Sequence, residues 1–243
     1  MGKPDMQLGV VILAAGQGTR MKSSLPKVLH PLAAKPMLQH VIDAARQLEP
    51  EQIVIVYGHG GEGVRKTIND ETLVWAEQAE QLGTGHAVKQ ALPHLQSVDK
   101  VVVLYGDVPL IQPVTLKTLV QCDSLLSILT VRLVEPTGYG RIVRNEHKQI
   151  TSIVEQKDAS PEQLKIDEIN TGIMCIEHQA LTGWINKLDN KNVQKEFYLT
   201  DIVAFAVDDD VNVLAVHPDS VSEVSGVNDR VQAAVWAVHH NLL

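Results

Sequence analysis

Residues 9–21 read GVVILAAGQGTRM, a run of apolar residues that passes directly into a loop of small residues. The segment 9–14 is apolar at nearly every position, which is typical of a strand covered on both faces by helices. Gly16 and Gly18 then allow the backbone to lie close to a phosphate or a base. Because α/β sheets bind ligands at the carboxyl ends of their strands, this stretch predicts a ligand site after the first strand.

The loop differs from the two familiar phosphate-binding fingerprints. A Rossmann dinucleotide motif would need glycine where Met21 stands, and a P-loop would need Gly-Lys-Ser/Thr. Two cations follow instead, Arg20 with a guanidinium suited to bidentate phosphate contacts and Lys27 with a mobile ammonium group. The pattern indicates an anion site, although a tight turn flanked by solvated basic residues would have the same sequence.

Strand and helix patterns alternate through the first half of the chain. Strands are predicted at 9–14, 52–57, 73–77 and 100–105, and helices at 36–48, 61–68, 84–92 and 113–121. Thr84 and Pro113 are the start signals of the last two helices. This alternation predicts a Rossmann-like α/β fold with a doubly wound, mostly parallel sheet.

The pattern changes to closely spaced strands beyond about residue 125. Strands at 127–133, 141–144, 150–155 and 169–176 predict either a mixed sheet or a β-rich lid. A helix at 178–188, a mixed segment around 198–207, a strand at 211–216 and a last helix from Asn228 follow. We predict one domain over 1–243, with halves at about 1–125 and 126–227 and a terminal helix at 228–243 that lacks a carboxyl-terminal cap.

The composition excludes several classes of protein. No apolar run reaches the roughly 20 residues of a membrane-spanning helix, and the amino terminus lacks a signal peptide, so we expect a cytoplasmic protein without a membrane partner. A net charge of -8 without a basic patch argues against nucleic acid as a partner. Cys122 and Cys175 lie in no metal-ligand pattern, and we expect free, buried thiols and no zinc.

Eight sequence blocks together carry a family resemblance. The run LAAGQGTRMKSSLPKVL at 13–29 resembles the signature of the sugar-nucleotide pyrophosphorylases, in particular the bacterial N-acetylglucosamine-1-phosphate uridyltransferases. The other blocks, in order, are AEQLGTGHAV at 79–88, YGDVPL at 105–110, PTGYGRIV at 136–143, IVEQKDA at 153–159, INTGIM at 169–174, EFYLTD at 196–201 and GVNDR at 226–230. The resemblance implies a nucleotidyltransferase with Mg²⁺ as cofactor. Its substrates would be UTP and N-acetyl-α-D-glucosamine 1-phosphate, and its products pyrophosphate and UDP-N-acetylglucosamine, a precursor of peptidoglycan and lipopolysaccharide.

The resemblance also implies roles for single residues. It implies that Arg20 and Lys27 are catalytic and that Asp107 and Asn228 bind the metal. The nucleotide-binding residues are Leu13, Ala14, Ala15, Gly16, Lys27, Gln78, Gly83 and Thr84. The sugar-binding residues are Tyr105, Gly106, Gly140, Glu155, Asn170, Tyr198 and Thr200.

Several of these residues have an ordinary structural explanation when each is taken alone. Asp107 could be a turn residue at a strand end, and Asn228 a helix N-cap. Gln78 and Glu155 could be solvated side chains, and residues 137–140 a hairpin turn. Their joint occurrence in the order of the family favours the functional interpretation.

Members of this family usually continue into a β-helix of hexapeptide repeats that carries acetyltransferase activity and trimer contacts. These 243 residues contain no such repeats, so we expect no acetyl transfer from them. The resemblance implies a truncated chain, and a homotrimer for the full-length protein. Two alternatives to the uridyltransferase are a pyrophosphorylase for another nucleotide or sugar, and a catalytically silent UDP-sugar-binding module.

Overall fold

The structure, a computed structural model, describes residues 6–16, 23, 25–58 and 61–227. The strands β1 to β11 are Leu8–Ala14, Pro31–Leu32, Lys35–Pro36, Gln52–Gly58, Val74–Gln78, Lys100–Tyr105, Leu126–Arg132, Arg141–Arg144, Ile150–Val154, Glu168–Glu177 and Leu214–Val216. The helices α1 to α6 are Met37–Arg46, Glu62–Ile68, Thr84–Ala91, Pro113–Gln121, His178–Ile185 and Ile202–Asp208.

Nine strands form one sheet with the path β11-β7-β10-β6-β1-β4-β5, and β8 and β9 extend from β10. β1 pairs in parallel with β4 on one side and with β6 on the other. The chain therefore runs outward from β1 to β5 and returns to the opposite side of β1, which makes the β1/β6 boundary the switch point of the sheet. The predicted doubly wound, mostly parallel α/β fold is confirmed.

The core lies on both faces of this sheet. Side chains alternate along β1, so Val10 and Ile12 pack on one face and Val11 and Leu13 on the other. Helices α1 and α4 cover the first face, and α3, α5 and α6 cover the second. Burial on both faces explains why β1 is apolar throughout.

The second half of the chain joins the same sheet, as the mixed-sheet alternative predicted. β10 lies between β6 and β7 and is antiparallel to both, and β11 is parallel to β7. The short hairpin of β2 and β3 was not predicted, because two-residue strands carry no periodicity. Helix α5 ends three residues before the predicted Leu188, and β11 begins three residues after the predicted Val211.

Several smaller sequence predictions can also be compared with the structure. Helices α3 and α4 begin at Thr84 and Pro113, as expected, although no side-chain hydrogen bond caps the start of α3. Cys122 and Cys175 are free, with Cys175 buried and Cys122 partly exposed. The helix expected from Asn228 lies outside the described residues. Within the described part of the chain, no helix has the length and apolarity needed to cross a membrane.

Candidate active site

A cleft opens at the carboxyl ends of β1, β5 and β6, where the sheet switches direction. Gly106 follows β6 and donates its backbone N–H to the carbonyl oxygen of Leu13 in β1 at 2.9 Å, which keeps the two strand ends together. The cavity has a volume of about 280 Å³. Its lining residues are Leu13, Ala14, Ala15, Gly16, Lys27, Val28, Gln78, Gln81, Gly83, Thr84, Ala87, Tyr105, Asp107 and Glu196. The structure thus brings all the described nucleotide-site candidates to one cavity.

Lys27 and Asp107 form an ion pair at the edge of this cavity. Lys27 Nζ lies 2.5 Å from Asp107 Oδ2, and the side chains are 12% and 26% exposed. Lys27 lies in a 3-10 helix, Lys27–Leu29, whose buried Val28 and Leu29 anchor the backbone in the core. The two charges come from positions 80 residues apart, so only the tertiary fold pairs them.

A second cavity, of about 310 Å³, meets the first at Tyr105 and Asp107, which line both. Its other lining residues are Val108, Thr137, Gly138, Tyr139, Thr171, Val224 and Gly226. Two adjoining cavities with a carboxylate and a lysine at their boundary can hold two ligands whose reacting groups meet beside these charges.

The oxygen atoms at Asp107 fit a hard divalent cation such as Mg²⁺. Asp107 Oδ2 faces Lys27, and its Oδ1 accepts no hydrogen bond from the described residues. Val227 donates its backbone N–H to the carbonyl oxygen of Asp107 at 2.9 Å, and Asn228 is the next residue in the sequence. In the described ranges no three His, Cys, Asp or Glu side chains gather into a metal cluster. Mg²⁺ is typically held by one or two carboxylates together with phosphates and water.

Gln78 and Gly83 define the inner wall of the first cavity. Gln78 is 3% exposed, so the solvated position considered for it above is wrong. Its Nε2 donates to the carbonyl oxygen of Gly83 at 3.0 Å. Gly83 has φ +109°, and a Cβ there would lie 2.6 Å from the carbonyl oxygen of Phe197, so only glycine fits this position.

The segments 82–85 and 197–199 are joined by three hydrogen bonds. Phe197 N–H donates to Leu82 O, and Gly85 N–H donates to Phe197 O, both at 2.8 Å. Leu199 N–H donates to the Thr84 hydroxyl at 3.1 Å. The sequence blocks QLGTGHA and EFYLTD, more than a hundred residues apart, therefore form one wall.

The predicted sugar-binding residues form a hydrogen-bonded network next to Tyr105. Thr200 Oγ1 donates to Glu155 Oε1 at 3.0 Å, and a Cβ on Gly140 would lie 3.4 Å from the same oxygen. Asn170 N–H donates to Gly140 O at 2.9 Å. Tyr198 donates its hydroxyl to Asp158 at 3.2 Å. These five predicted residues line neither of the two cavities beside Asp107, while Tyr105 lines both.

Gly172 allows Tyr105 to lie against β10. Gly172 has φ +85° at an irregularity of β10 between Asn170 and Met174, and the Tyr105 ring occupies the space that a Cβ would take. Burial raises the pKa of Tyr105, and the negative charges of Glu155 and Asp107 raise it further. The phenol therefore stays protonated and can donate a hydrogen bond at the boundary of the two cavities.

Partly buried carboxylates make the Glu155 region sensitive to pH. Burial raises the pKa of Glu155, the Thr200 hydrogen bond lowers it, and the charges of Asp158 and Glu196 raise it. Burial also raises the pKa of Asp201 to about 6, with added repulsion from Glu155, Asp189 and Asp158. The ionised form of Asp201 is therefore disfavoured in the folded protein.

Asp201→Asn is expected to stabilise the protein at pH 7.5 but not at pH 4. Between about pH 4 and about pH 6, the folded state keeps a proton on Asp201 that the unfolded chain has lost. The folded protein therefore becomes less stable as the pH rises through this range. Because Asp201 is partly exposed, water screens the effect, and we expect about 1 kcal/mol, or about 3 °C in Tm. Thermal melts of both proteins from pH 4 to 8 measure it. A Tm difference that is independent of pH would contradict the prediction.

Two predicted residues, Arg20 and Asn228, lie outside the described part of the chain, so the structure does not place them. Four cavity residues, Val28, Gln81, Ala87 and Glu196, were not predicted. Gln81 donates to Ala15 O at 2.5 Å and so ties the glycine-rich loop to the second motif. Gln81 and Glu196 lie inside the blocks AEQLGTGHAV and EFYLTD. Their position in these blocks was the sequence signal that could have identified them as site residues.

The sheet, its switch-point cleft and the lysine–aspartate pair define a nucleotidyltransferase of α/β fold. A family model described as the MobA-like NTP transferase domain matches residues 10–150, and the chain belongs to this family. Such enzymes generally use a divalent metal, in agreement with the oxygen atoms available at Asp107.

Known proteins resemble both the sequence and the fold. The chain is 56% identical to the bifunctional protein GlmU of Idiomarina loihiensis over 231 residues, which are 94% of this chain and 51% of that protein. It is also 56% identical to the bifunctional protein GlmU of Dechloromonas aromatica over 236 residues, 97% of this chain and 52% of that protein. The chain thus spans about half the length of these curated relatives. A UDP-glucose pyrophosphorylase complexed with UDP-glucose shares the fold, with a TM-score of 0.74 at 18% identity over 97% of this chain and 98% of that one.

Proposed function

We propose that this chain transfers a uridylyl group from UTP to N-acetyl-α-D-glucosamine 1-phosphate and releases pyrophosphate. The observation that carries the proposal is the Lys27–Asp107 pair at the boundary of two adjoining cavities. The identity of 56% to GlmU proteins over nearly the whole chain supports these substrates. The product, UDP-N-acetylglucosamine, would serve peptidoglycan and lipopolysaccharide synthesis in the cytoplasm.

The two halves of the chain would each bind one substrate. We assign the nucleotide to residues 1–125, which supply the first cavity except for Glu196. We assign the sugar phosphate to residues 126–227, which supply most of the second cavity and the Glu155 network. Asn170 supports this role, because its Oδ1 accepts from Gly172 N–H while its Nδ2 has no partner in the described chain.

Catalysis would depend on positioning and on charge neutralisation. A phosphomonoester has a second pKa of about 6, so the attacking sugar-phosphate oxygen is already anionic at neutral pH and no general base is needed. Lys27 and Arg20 would neutralise the triphosphate and the charge that develops on the leaving pyrophosphate. Asp107 holds the Lys27 ammonium at the cavity boundary, where the two anions would meet.

Mg²⁺ is part of this proposal, with Asp107 and Asn228 as its protein ligands. When bound, the cation supplies the positive charge that lets two polyanions approach and that polarises the phosphoryl oxygens. Val227 precedes Asn228 in the sequence and donates its backbone N–H to the carbonyl oxygen of Asp107. This hydrogen bond supports Asp107 and Asn228 as the two ligands. We also propose that a longer protein containing this chain is a homotrimer through a further domain.

The test is pyrophosphate release with several substrate pairs. Turnover is expected with UTP and N-acetylglucosamine 1-phosphate in the presence of Mg²⁺, and it should stop on addition of EDTA and return with excess Mg²⁺. Glucose 1-phosphate, CTP and dTTP serve as alternative substrates. A preference for any of these would indicate a related pyrophosphorylase, and UDP-sugar binding without turnover would indicate a binding module.

A further inference from the structure

The side-chain amide of Gln78 is held by hydrogen bonds from one side only. Gln78 is at the end of β5 and lines the first cavity. Its Nε2 lies 3.0 Å from Gly83 O and 3.2 Å from His86 Nδ1. Its Oε1 has no hydrogen-bond partner in the described chain and is not a fully buried atom. The amide nitrogen is therefore used within the protein, and the oxygen remains available to a ligand.

The carbonyl of Gly83 determines which end of the amide faces inward. A carbonyl oxygen only accepts hydrogen bonds, so the reversed amide would bring two acceptors together. Gly83 O also accepts from Ala87 N–H at 3.1 Å in the first turn of α3, which uses its second lone pair. The orientation of the Gln78 amide thus follows from chemistry, although nitrogen and oxygen have similar shapes.

His86 completes this arrangement by accepting the second N–H of the Gln78 amide. For that, Nδ1 must carry a lone pair, and the imidazole proton must be on Nε2. Gln90 Nε2 lies 3.1 Å from His86 Nε2 and 3.5 Å from the His86 carbonyl oxygen; the Gln90 amide turned over presents its oxygen to the Nε2 proton instead. The ring of Phe197 lies against His86 with a centroid distance of 6.4 Å. Neighbours on α3 and on the opposite wall therefore hold the imidazole in place.

We propose that His86 is a positioning residue for base selection, which keeps the Gln78 amide turned so that only its oxygen faces the nucleotide. An amide that offers only an acceptor binds a base with a ring N–H, as uracil has at N3. It repels cytosine, whose N3 is itself an acceptor. This inference rests on the proposed use of UTP and adds a residue that does not touch the nucleotide.

Loss of the imidazole would free one amide N–H. An unsatisfied N–H in a buried position is costly, so the Gln78 side chain would rotate to find a partner. The amide could then donate to the N3 of cytosine as well as accept from uracil. The expected result is weaker UTP binding together with a smaller preference for UTP over CTP.

The experiment compares His86→Leu with His86→Asn. Leucine removes the acceptor at similar size, whereas asparagine keeps an oxygen at the position of Nδ1. His94→Leu is the matched control, because His94 is exposed and lies beyond the end of α3. For each protein, kcat and KM are measured for UTP and CTP with N-acetylglucosamine 1-phosphate, and both nucleotides are titrated directly against the protein.

His86→Leu should raise the KM for UTP about tenfold and reduce the UTP/CTP preference about tenfold, with kcat within about twofold of the original. His86→Asn should restore most of both values, and His94→Leu should change neither. An unchanged UTP/CTP preference in His86→Leu, or equal defects in the leucine and asparagine variants, would overturn the proposal.

The titrations separate this inference from the proposed function. Without turnover of UTP by the original protein, the proposed function fails, while UTP and CTP binding still tests His86. Equal binding of UTP and CTP by the original protein would overturn the role of His86 directly. A lower Tm in His86→Leu with an unchanged nucleotide preference would indicate a purely structural residue.

Discussion

Asp107→Ala is expected to lower kcat about 10³-fold. The substitution removes the carboxylate that we assign to Mg²⁺ and leaves Lys27 without its partner at 2.5 Å. A metal ion contributes several kcal/mol to a phosphoryl-transfer transition state, and about 4 kcal/mol corresponds to about 10³-fold in rate. Steady-state pyrophosphate release across a range of Mg²⁺ concentrations measures kcat and the apparent metal affinity together.

The control for this variant is Asp167→Ala. Asp167 is 56% exposed and pairs with Arg132 outside the cleft, so its loss should change kcat less than about twofold. Thermal melts of both variants separate catalytic loss from unfolding, since Asp107→Ala also removes the Lys27–Asp107 ion pair. Full Mg²⁺-dependent turnover by a folded Asp107→Ala protein would refute the metal assignment.

Glu155→Ala is expected to weaken the binding of the sugar phosphate and not that of UTP. Glu155 Oε1 accepts from Thr200, and its Oε2 has no partner in the described chain, so it can accept from a sugar hydroxyl. A hydrogen bond to a charged group contributes about 1.5 to 3 kcal/mol, which predicts a KM for the sugar phosphate about 10- to 100-fold higher.

Direct titration of UTP in the absence of sugar phosphate gives the second half of this test. The UTP affinity of Glu155→Ala should remain within about twofold of the original. Thr200→Val is the companion variant, because it removes the hydroxyl that donates to Glu155 while the carboxylate stays. It should have a smaller effect on the sugar-phosphate KM. Equal losses of affinity for UTP and for the sugar phosphate would contradict the assignment of Glu155 to the sugar site.

Much of the candidate site could be predicted because the family signature is carried by contiguous blocks. The glycine-rich loop after β1 and the aspartate after β6 both follow apolar strands, and such strand ends share one edge of a parallel sheet. The burial of Gln78 and the roles of Gln81 and His86 could not be predicted in the same way. These side chains form hydrogen bonds with nearby residues and, for Gln81, with a distant backbone oxygen. The periodicity of the sequence does not predict such contacts.

The sequence by itself determined the α/β class, the order of the main strands and the family, because these depend on local periodicity and on the letters of the motifs. Only the tertiary structure decided that β10 enters the sheet between β6 and β7, since strand pairing is a long-range choice that local patterns do not encode. It also brought Lys27 to Asp107 and segment 197–199 to segment 82–85. The physical reason is that such contacts form only when the core has closed and the entropy of bringing distant segments together has been offset by burial.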